Sequence, residues 1–177
     1  MPAPLEILLS EQQIQKRVTE LARDLGRDFP AGLHLIAVLK GAFVFLSDVI
    51  RQIPVDDGAV SVDFITLASY AGATSTSGEV RLLTDLNSAI EGRDVVIVED
   101  IVDTGTTLRY LQEILRARHP RTLATMCLLN KPSRRQVTVP VEYVGFTIEN
   151  RFVVGYGLDY DGRYRNLPYI ATLNLIV

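Results

Sequence analysis

The sequence contains one cysteine, Cys127, and two histidines in 177 residues. A single cysteine cannot form a disulfide within the chain, and one cysteine with two histidines cannot supply the four ligands of an ordinary structural zinc site. The Walker A pattern and the GxGxxG pattern are both missing from the sequence, which excludes the two commonest glycine-rich cradles for nucleotide phosphates. These shortages indicate a protein of a reducing compartment, in which Cys127 is expected to be a buried apolar filler.

The chain also lacks a strong net charge and a long uncharged apolar run. Its 18 basic and 21 acidic side chains leave a formal net charge of −3, so general binding to polyanions such as nucleic acid is not expected. The longest apolar stretch, residues 33–50, contains Lys40 and Asp48, and a charge within a membrane span is costly. The first residues carry no basic region and Glu6 interrupts their short apolar run, so we expect no secretory signal, no membrane partner and a cytoplasmic location.

Hydrophobic periodicity predicts an alternation of strands and helices. Apolar residues recur at helical spacing after Ser10, which forms a capping-box pattern with Gln13, and short continuous apolar runs further on are typical of buried strands. The predicted helices are residues 10–27, 42–50 and 107–116, and the predicted strands are residues 33–39, 60–68, 94–100, 123–129 and 141–148. This alternation favours one α/β domain with a mostly parallel central sheet flanked by helices. The tail, residues 152–177, is expected to form a small β-rich flap.

The segment from Val95 to Leu108 carries the most specific chemical pattern. A buried strand delivers Glu99 and Asp100 to its carboxyl end, where open parallel sheets bind their ligands. The following residues, 104–107, offer threonine hydroxyl groups and a glycine that permits close backbone approach. A helix that begins at these threonines would add a field that favours an anion.

The absence of lysine from this segment indicates which kind of anion it could bind. No lysine lies within it, and a triphosphate cradle normally uses one, so a monophosphate is the better fit. The carboxylates of Glu99, Asp100 and Asp103 would repel a phosphate unless they accept hydrogen bonds from sugar hydroxyls or share a divalent cation. A metal-bound sugar phosphate satisfies these conditions together. The simpler alternative is that the acids cap the next helix and the threonines form an ordinary turn.

The same segment closely resembles the signature of the type I phosphoribosyltransferases, and within them of the hypoxanthine-guanine phosphoribosyltransferase family. That signature is two acids, two apolar residues and then Asp-Thr-Gly-x-Thr, which here spans Glu99 to Thr107. Four further blocks resemble family segments in the family's order: Leu39-Lys40-Gly41, Ser69-Tyr70, Asn130-Lys131-Pro132, and Phe152 to Tyr160 followed by Arg165-Asn166-Leu167. The resemblance therefore extends from Leu39 to Leu167, most of the chain.

The family joins a 6-oxopurine to 5-phosphoribosyl-1-pyrophosphate, releases pyrophosphate and uses Mg²⁺. Carried over residue by residue, the resemblance implies that Asp103 is the general base near purine N7 and that Lys131 contacts the purine O6. It assigns the phosphosugar to Lys40, Gly41, Ser69, Tyr70, Glu99, Asp100, Thr104, Gly105, Thr106, Thr107 and Arg165, the purine to Lys131, Phe152, Val153 and Asp159, and the metal to Glu99, Asp100 and Asp159. It also implies a hood built from the chain ends, with residues 148–177 forming its purine-binding part, and a homodimer or homotetramer.

Several of these residues have simpler interpretations without the resemblance. Lys40 is then a solvated side chain and Phe152 a core residue, because lysine is mostly exposed and phenylalanine mostly buried. The small and polar segment 69–78 is either a lid or a linker. Arg134 and Arg135 are interpreted as surface residues or as groups that steer phosphate.

Two other functions remain open on the same fold. A regulatory nucleic-acid-binding protein would need a concentrated basic face or an added domain, and the acidic net charge argues against it. An enzyme for another purine is the second alternative. Asp103 argues against adenine, because adenine phosphoribosyltransferases as a family place a small residue there, while a preference for xanthine is only weakly opposed.

Overall fold

Three helices and nine strands make up the regular structure of residues 5–54, 59–70 and 79–173, the parts of the chain that the computed structural model describes. The helices are α1 (Glu11–Asp28), α2 (Phe43–Ile50) and α3 (Thr106–Arg116), and a single 3-10 turn spans Pro132–Arg134. The strands are β1 (Leu5–Leu9), β2 (Leu33–Leu39), β3 (Val60–Tyr70), β4 (Glu79–Thr84), β5 (Asp94–Val102), β6 (Thr122–Asn130), β7 (Tyr143–Thr147), β8 (Val153–Val154) and β9 (Ile170–Leu173). Among these residues, no helix has the length and apolar character needed to cross a membrane.

Six strands form the central sheet in the order β4-β3-β2-β5-β6-β7, and every neighbouring pair is parallel except β3 with β4. The mostly parallel sheet predicted from the sequence is therefore confirmed. The predicted strands are all present and differ only at their ends. Strand β5, for example, continues to Val102, because its pairing with β6 runs past the two acids to the register of Val102 with Asn130.

Helix α1 begins where the sequence predicts and for the predicted reason. Ser10 Oγ accepts a hydrogen bond from Gln13 N, and the Gln13 side chain accepts one from Ser10 N, which completes the capping box. The apolar positions of the predicted helix are buried; they are Ile14, Val18, Leu21 and Leu25. On its outer side, Arg17 crosses to β7 and donates to the carbonyl oxygens of Val144 and Gly145, which ties the helix to the far edge of the sheet.

The two faces of the central sheet bury separate apolar clusters. One cluster combines α1 and α2 with alternate residues of the sheet, such as Leu35 and Ala37 of β2. The other combines α3 with the residues that point the opposite way, such as Ile36 of β2 and Ile97 of β5. Because both faces of the sheet are covered, the inner strands are apolar on both sides, and polar and apolar residues do not alternate along them. Cys127 is a fully buried member of the second cluster, as predicted.

A second sheet of three strands, in the order β1-β9-β8, is antiparallel throughout and joins both ends of the described chain. Its register pairs Leu5 with Leu173 and Val153 with Thr172. This sheet is the hood that the family resemblance implies from the chain ends. Neither β1 nor the edge strand β4 was predicted from sequence periodicity.

A buried carboxylate organises the turn beyond β4. Asp63, 4% exposed on β3, accepts hydrogen bonds from the backbone N–H groups of Phe64, Asn87 and Ser88 at 2.8–3.1 Å and from the Ser88 hydroxyl. Burial alone would raise the pKa of Asp63, but these hydrogen bonds together lower it. An ionised aspartate is therefore accommodated inside this part of the protein.

Candidate active site

The carboxyl end of β5 opens into a cavity of about 220 Å³. Its wall comprises the last residues of β5, the loop into α3, and side chains from β2 and β3 on the neighbouring strands. This is the edge at which open parallel sheets bind ligands. The predicted site residues that line it are Glu99, Asp100, Asp103, Thr104, Gly105 and Thr107.

Glu99 and Asp100 form a pair of adjacent acids with unusual electrostatics. Burial raises the pKa of Glu99 well above its ordinary value, and the charge of Asp100 adds to this effect. Burial also raises the pKa of Asp100, to about 6, although the backbone N–H of Ile101 donates to this carboxylate at 2.8 Å and the charge of Arg165 opposes the rise. Two such carboxylates favour a ligand that supplies positive charge or hydrogen-bond donors.

The loop after β5 ends in an open helix N-terminus. Gly105 is the N-cap of α3 and has a φ of 86°, a conformation that favours glycine. Because the N-cap residue has no side chain, it does not cap the backbone N–H groups of the first turn; the first of them, that of Thr106, instead donates to Thr104 Oγ1 at 3.4 Å. These N–H groups and the hydroxyls of Thr104 and Thr107 can therefore bind an anion.

The loop after β2 lies directly against the acid pair. Lys40 is exposed and follows a cis peptide bond from Leu39. A Cβ built on Gly41 would lie 1.5 Å from Oδ2 of Asp100, so only glycine fits at this position without displacing the carboxylate. The fold thus brings the Lys40-Gly41 block into contact with the acids, which are some sixty residues away in sequence.

Arg165 reaches the same region from the chain between β8 and β9. Its Nη1 donates to the carbonyl oxygen of Gly157 at 2.7 Å, and its Nη2 forms an ion pair with Asp159 Oδ1 at 2.7 Å. The charges of Arg165 and Asp159 both act on the pKa of Asp100, the first lowering it and the second raising it. Among the described residues, no three histidine, cysteine or acidic side chains form a group that could hold a metal by themselves.

The predicted purine side is built by Lys131 and the start of the hood. Lys131 is buried at the end of β6, and its Nζ donates to the carbonyl oxygen of Arg151 at 2.7 Å. Burial lowers the pKa of Lys131, with Asp103 acting against this change. Phe152 is 44% exposed, and its ring meets Tyr160 edge-on with centroids 5.5 Å apart. Phe152 is therefore not a core residue, whereas its neighbour Val153 is buried in β8.

The segment 69–78, for which the sequence leaves a lid or a linker open, is only partly described. Ser69 and Tyr70 are the last two residues of β3, and their backbones pair with Val80 and Glu79 of β4. The rest of that loop, residues 71–78, lies outside the described residues. Thr106, another predicted phosphate ligand, is the first residue of α3.

The chain is similar to known phosphoribosyltransferases over most of its length. A family model for the phosphoribosyl transferase domain matches residues 4–161. The chain is 45% identical over 170 residues to a hypoxanthine-guanine phosphoribosyltransferase of Dictyostelium discoideum, covering 95% of this chain and 94% of that protein. It is 51% identical over 175 residues to one of Mycobacterium avium, covering 95% and 85% respectively. The chain belongs to the hypoxanthine-guanine phosphoribosyltransferase family.

Solved phosphoribosyltransferase structures share the fold as well as the sequence. A crystal structure of a hypoxanthine phosphoribosyltransferase from Staphylococcus aureus matches with a TM-score of 0.89 at 46% identity, covering 95% of this chain and 90% of that one. A hypoxanthine-guanine phosphoribosyltransferase from Bacillus anthracis matches with a TM-score of 0.88 at 47% identity, covering 94% and 97%. The family and fold predicted from the sequence are therefore confirmed.

One structural role in this phosphoribosyltransferase is not evident from its sequence. Arg135, interpreted as a surface or steering residue, is partly buried, and its guanidinium donates to the carbonyl oxygens of Val102 and Asp103 and to the side chain of Asn130. Arg135 therefore holds the backbone of Val102 and Asp103 against Asn130 at the end of β6. No signal in the local sequence marks this contact, because Arg135 and Val102 are brought together only by the pairing of β5 with β6.

Proposed function

We propose that this chain transfers the 5-phosphoribosyl group from phosphoribosyl pyrophosphate to hypoxanthine and guanine, in purine salvage. The observation that carries the proposal is the shared cavity at the end of β5. Within it, the buried Glu99, the partly buried Asp100, the more exposed Asp103 and the open N-terminus of α3 lie along one continuous segment. The names of the relatives in two bacterial phyla and in Dictyostelium support the same activity.

The phosphosugar is the ligand that fits the charges of this cavity. The N-terminus of α3, with residues 104–107, holds the 5-phosphate through backbone N–H groups and threonine hydroxyls. Glu99 and Asp100 accept hydrogen bonds from the ribose hydroxyls, which lowers the cost of their buried charges. Ser69 and Tyr70, the last two residues of β3, also bind the phosphosugar.

The pyrophosphate side lies across the acids from the 5-phosphate side. Lys40, the backbone of Gly41 and Arg165 bind the leaving group, for which a planar guanidinium provides a pair of donors. When the C1–O bond breaks, these groups stabilise the departing anion while positive charge develops at C1.

Mg²⁺ fits the donor chemistry of this site. It would be held by Glu99, Asp100 and Asp159. The charge of Asp100 raises the pKa of Glu99, and the charge of Asp159 raises the pKa of Asp100. Mg²⁺ is usually bound by one or two carboxylates together with substrate phosphates, so the pyrophosphate would supply the ligands that these acids do not. When bound, Mg²⁺ supplies positive charge to the pyrophosphate.

The purine completes the site from the hood. Its purine-binding part is the described portion of residues 148–177, which ends at residue 173. Within it, Phe152 stacks on the base and the backbone of Val153 contacts its edge. Asp103 takes the proton from purine N7 as the bond between N9 and C1 forms. Lys131 donates to O6, which favours a 6-oxopurine over adenine, because the amino group of adenine cannot accept the hydrogen bond that this buried ammonium offers beside its bond to the Arg151 carbonyl oxygen.

We also propose that the protein acts in the cytoplasm as a homodimer or homotetramer, without nucleic-acid or membrane partners. The acidic net charge and the single buried cysteine support the location and the absence of a nucleic-acid partner. The oligomer is carried over from the family.

Steady-state rates with hypoxanthine, guanine, xanthine and adenine, each with the phosphosugar and Mg²⁺, test the proposed function. We expect turnover with hypoxanthine or guanine and little with adenine. Equal turnover with adenine would contradict the role of Lys131, and turnover with xanthine alone would assign the chain to the xanthine-preferring enzymes.

A further inference from the structure

Two arginines from one turn hold Asp103 at the edge of the cavity. Oδ1 of Asp103 accepts a hydrogen bond from Nε of Arg134 at 3.2 Å, and the Asp103 carbonyl oxygen accepts one from Arg135. Arg135 also donates to the carbonyl oxygen of Val102 at 2.7 Å. Arg135 therefore fixes the backbone of Asp103, and the orientation of its carboxylate is left to Arg134.

The 3-10 turn explains why Arg134 faces this carboxylate. Residues three apart in such a turn lie one above the other. Lys131 precedes the turn and Arg134 ends it, with the backbone N–H of Arg134 donating to the carbonyl oxygen of Lys131 at 3.0 Å. Arg134 thus reaches the Asp103 carboxylate from the end of the turn, while Nζ of Lys131 donates to the carbonyl oxygen of Arg151. In agreement with this arrangement, the charges of Asp103 and Arg134 both act on the pKa of Lys131.

We propose that Arg134 is a positioning residue that orients the Asp103 carboxylate toward the reacting purine, an inference that rests on the proposed function. An ionised carboxylate has two acceptor oxygens. Arg134 occupies Oδ1, and within the described residues no hydrogen bond reaches Oδ2. Oδ2 is therefore the oxygen presented to the purine N–H, and the proton moves from N7 to Oδ2 while Arg134 remains on Oδ1.

Two other roles for Arg134 make different predictions. As an ordinary surface ion pair, with side chains 45% and 43% exposed, it would affect neither stability nor turnover. As a group that steers phosphate, it would change the KM for the phosphosugar and leave kcat unaffected. Orientation of the base, by contrast, changes kcat, because misplacement of a catalytic group reduces the rate of the chemical step.

The test measures kcat and both KM values for Arg134→Ala and Arg134→Gln, using the full chain with hypoxanthine, the phosphosugar and Mg²⁺. We expect kcat to fall about tenfold, the KM for the phosphosugar to change less than about twofold, and the thermal midpoint to stay unchanged. Arg27→Ala is the matched control, because Arg27 also donates through Nε, to Asp28 at 2.9 Å, in an exposed pair on α1. Its kcat is expected to equal that of the unchanged protein.

A double-mutant cycle with Asp103→Asn separates this inference from the proposed function. If Arg134 acts through Asp103, Arg134→Ala has no further effect on kcat in the Asp103→Asn background. An equal loss in both backgrounds, a rise in the phosphosugar KM in place of a fall in kcat, or an unchanged kcat for Arg134→Ala would each overturn the inference. An unchanged kcat for Asp103→Asn itself would overturn the proposed base as well.

Discussion

Replacing Asp100 by asparagine is expected to stabilise the protein above about pH 6 while impairing its activity. Burial raises the pKa of this carboxyl from 3.8 to about 6, so the folded protein binds this proton more tightly than the unfolded chain does. The resulting stability is complete below the unfolded pKa and is lost as the pH rises through the folded pKa. At neutral pH the ionised Asp100 therefore destabilises the folded protein, and asparagine removes this destabilisation.

The size of the effect follows from the difference between these two pKa values. The difference between the ordinary pKa of 3.8 and the folded-state pKa of about 6 corresponds to about 3 kcal/mol, at about 1.4 kcal/mol per pKa unit. Because the side chain is only partly buried, we expect about 2 kcal/mol. Asparagine retains an acceptor oxygen for the backbone N–H of Ile101, which donates to Asp100 at 2.8 Å, so no hydrogen bond is lost to offset the gain.

Urea unfolding without metal or substrate, at several pH values between about 4 and 8, measures this difference. The free energy of unfolding of Asp100→Asn should exceed that of the unchanged protein at about pH 8, and the gap should close as the pH falls below about 6. Asp63→Asn is a control of opposite sign, because the pKa of Asp63 is lowered by its hydrogen bonds and the charge is stabilising there. A variant at Asp100 that is less stable at about pH 8, or a gap that does not depend on pH, would refute the electrostatic argument.

Three further substitutions test the site. Asp103→Asn should lower kcat by about 10² with little change in the KM for the phosphosugar, and near-normal turnover would remove Asp103 from the mechanism. Lys131→Ala, which removes the donor to the Arg151 carbonyl, should raise the KM for hypoxanthine about tenfold or more; unchanged hypoxanthine kinetics would contradict its assignment. Gly41→Ala places a Cβ 1.5 Å from the Asp100 carboxylate, so phosphosugar binding measured by calorimetry should weaken strongly, and normal affinity would show that the loop is free to move aside.

Much of the fold could be predicted because its strands are buried on both faces. Residues 35–39 and 95–98 are continuous apolar runs, a pattern that follows from coverage by helices and is visible without the structure. The capping box at Ser10 is equally local and was predicted for that reason. The acid loop could be located because its chemistry lies within one contiguous segment.

The strands that were missed lack such local signals. Strand β4 lies at the sheet edge and most of its described side chains are exposed, so no buried face imposes a periodic pattern. Strand β1 becomes a strand by pairing with β9. The hydrogen bonds of Arg135 also depend on residues distant in sequence, since its partners Val102 and Asp103 precede it by more than thirty residues.

The pairing of β1 with β9 also has a consequence for synthesis on the ribosome. The residues that pair with Leu5–Leu9 are translated about 160 residues later, whereas β2, β3 and β5 are all available before the chain passes residue 102. The small sheet therefore closes after the central one, and contacts between such distant segments are slow to form. During translation, the nascent protein passes through an interval in which the strands of the central sheet are available but the small sheet cannot yet form.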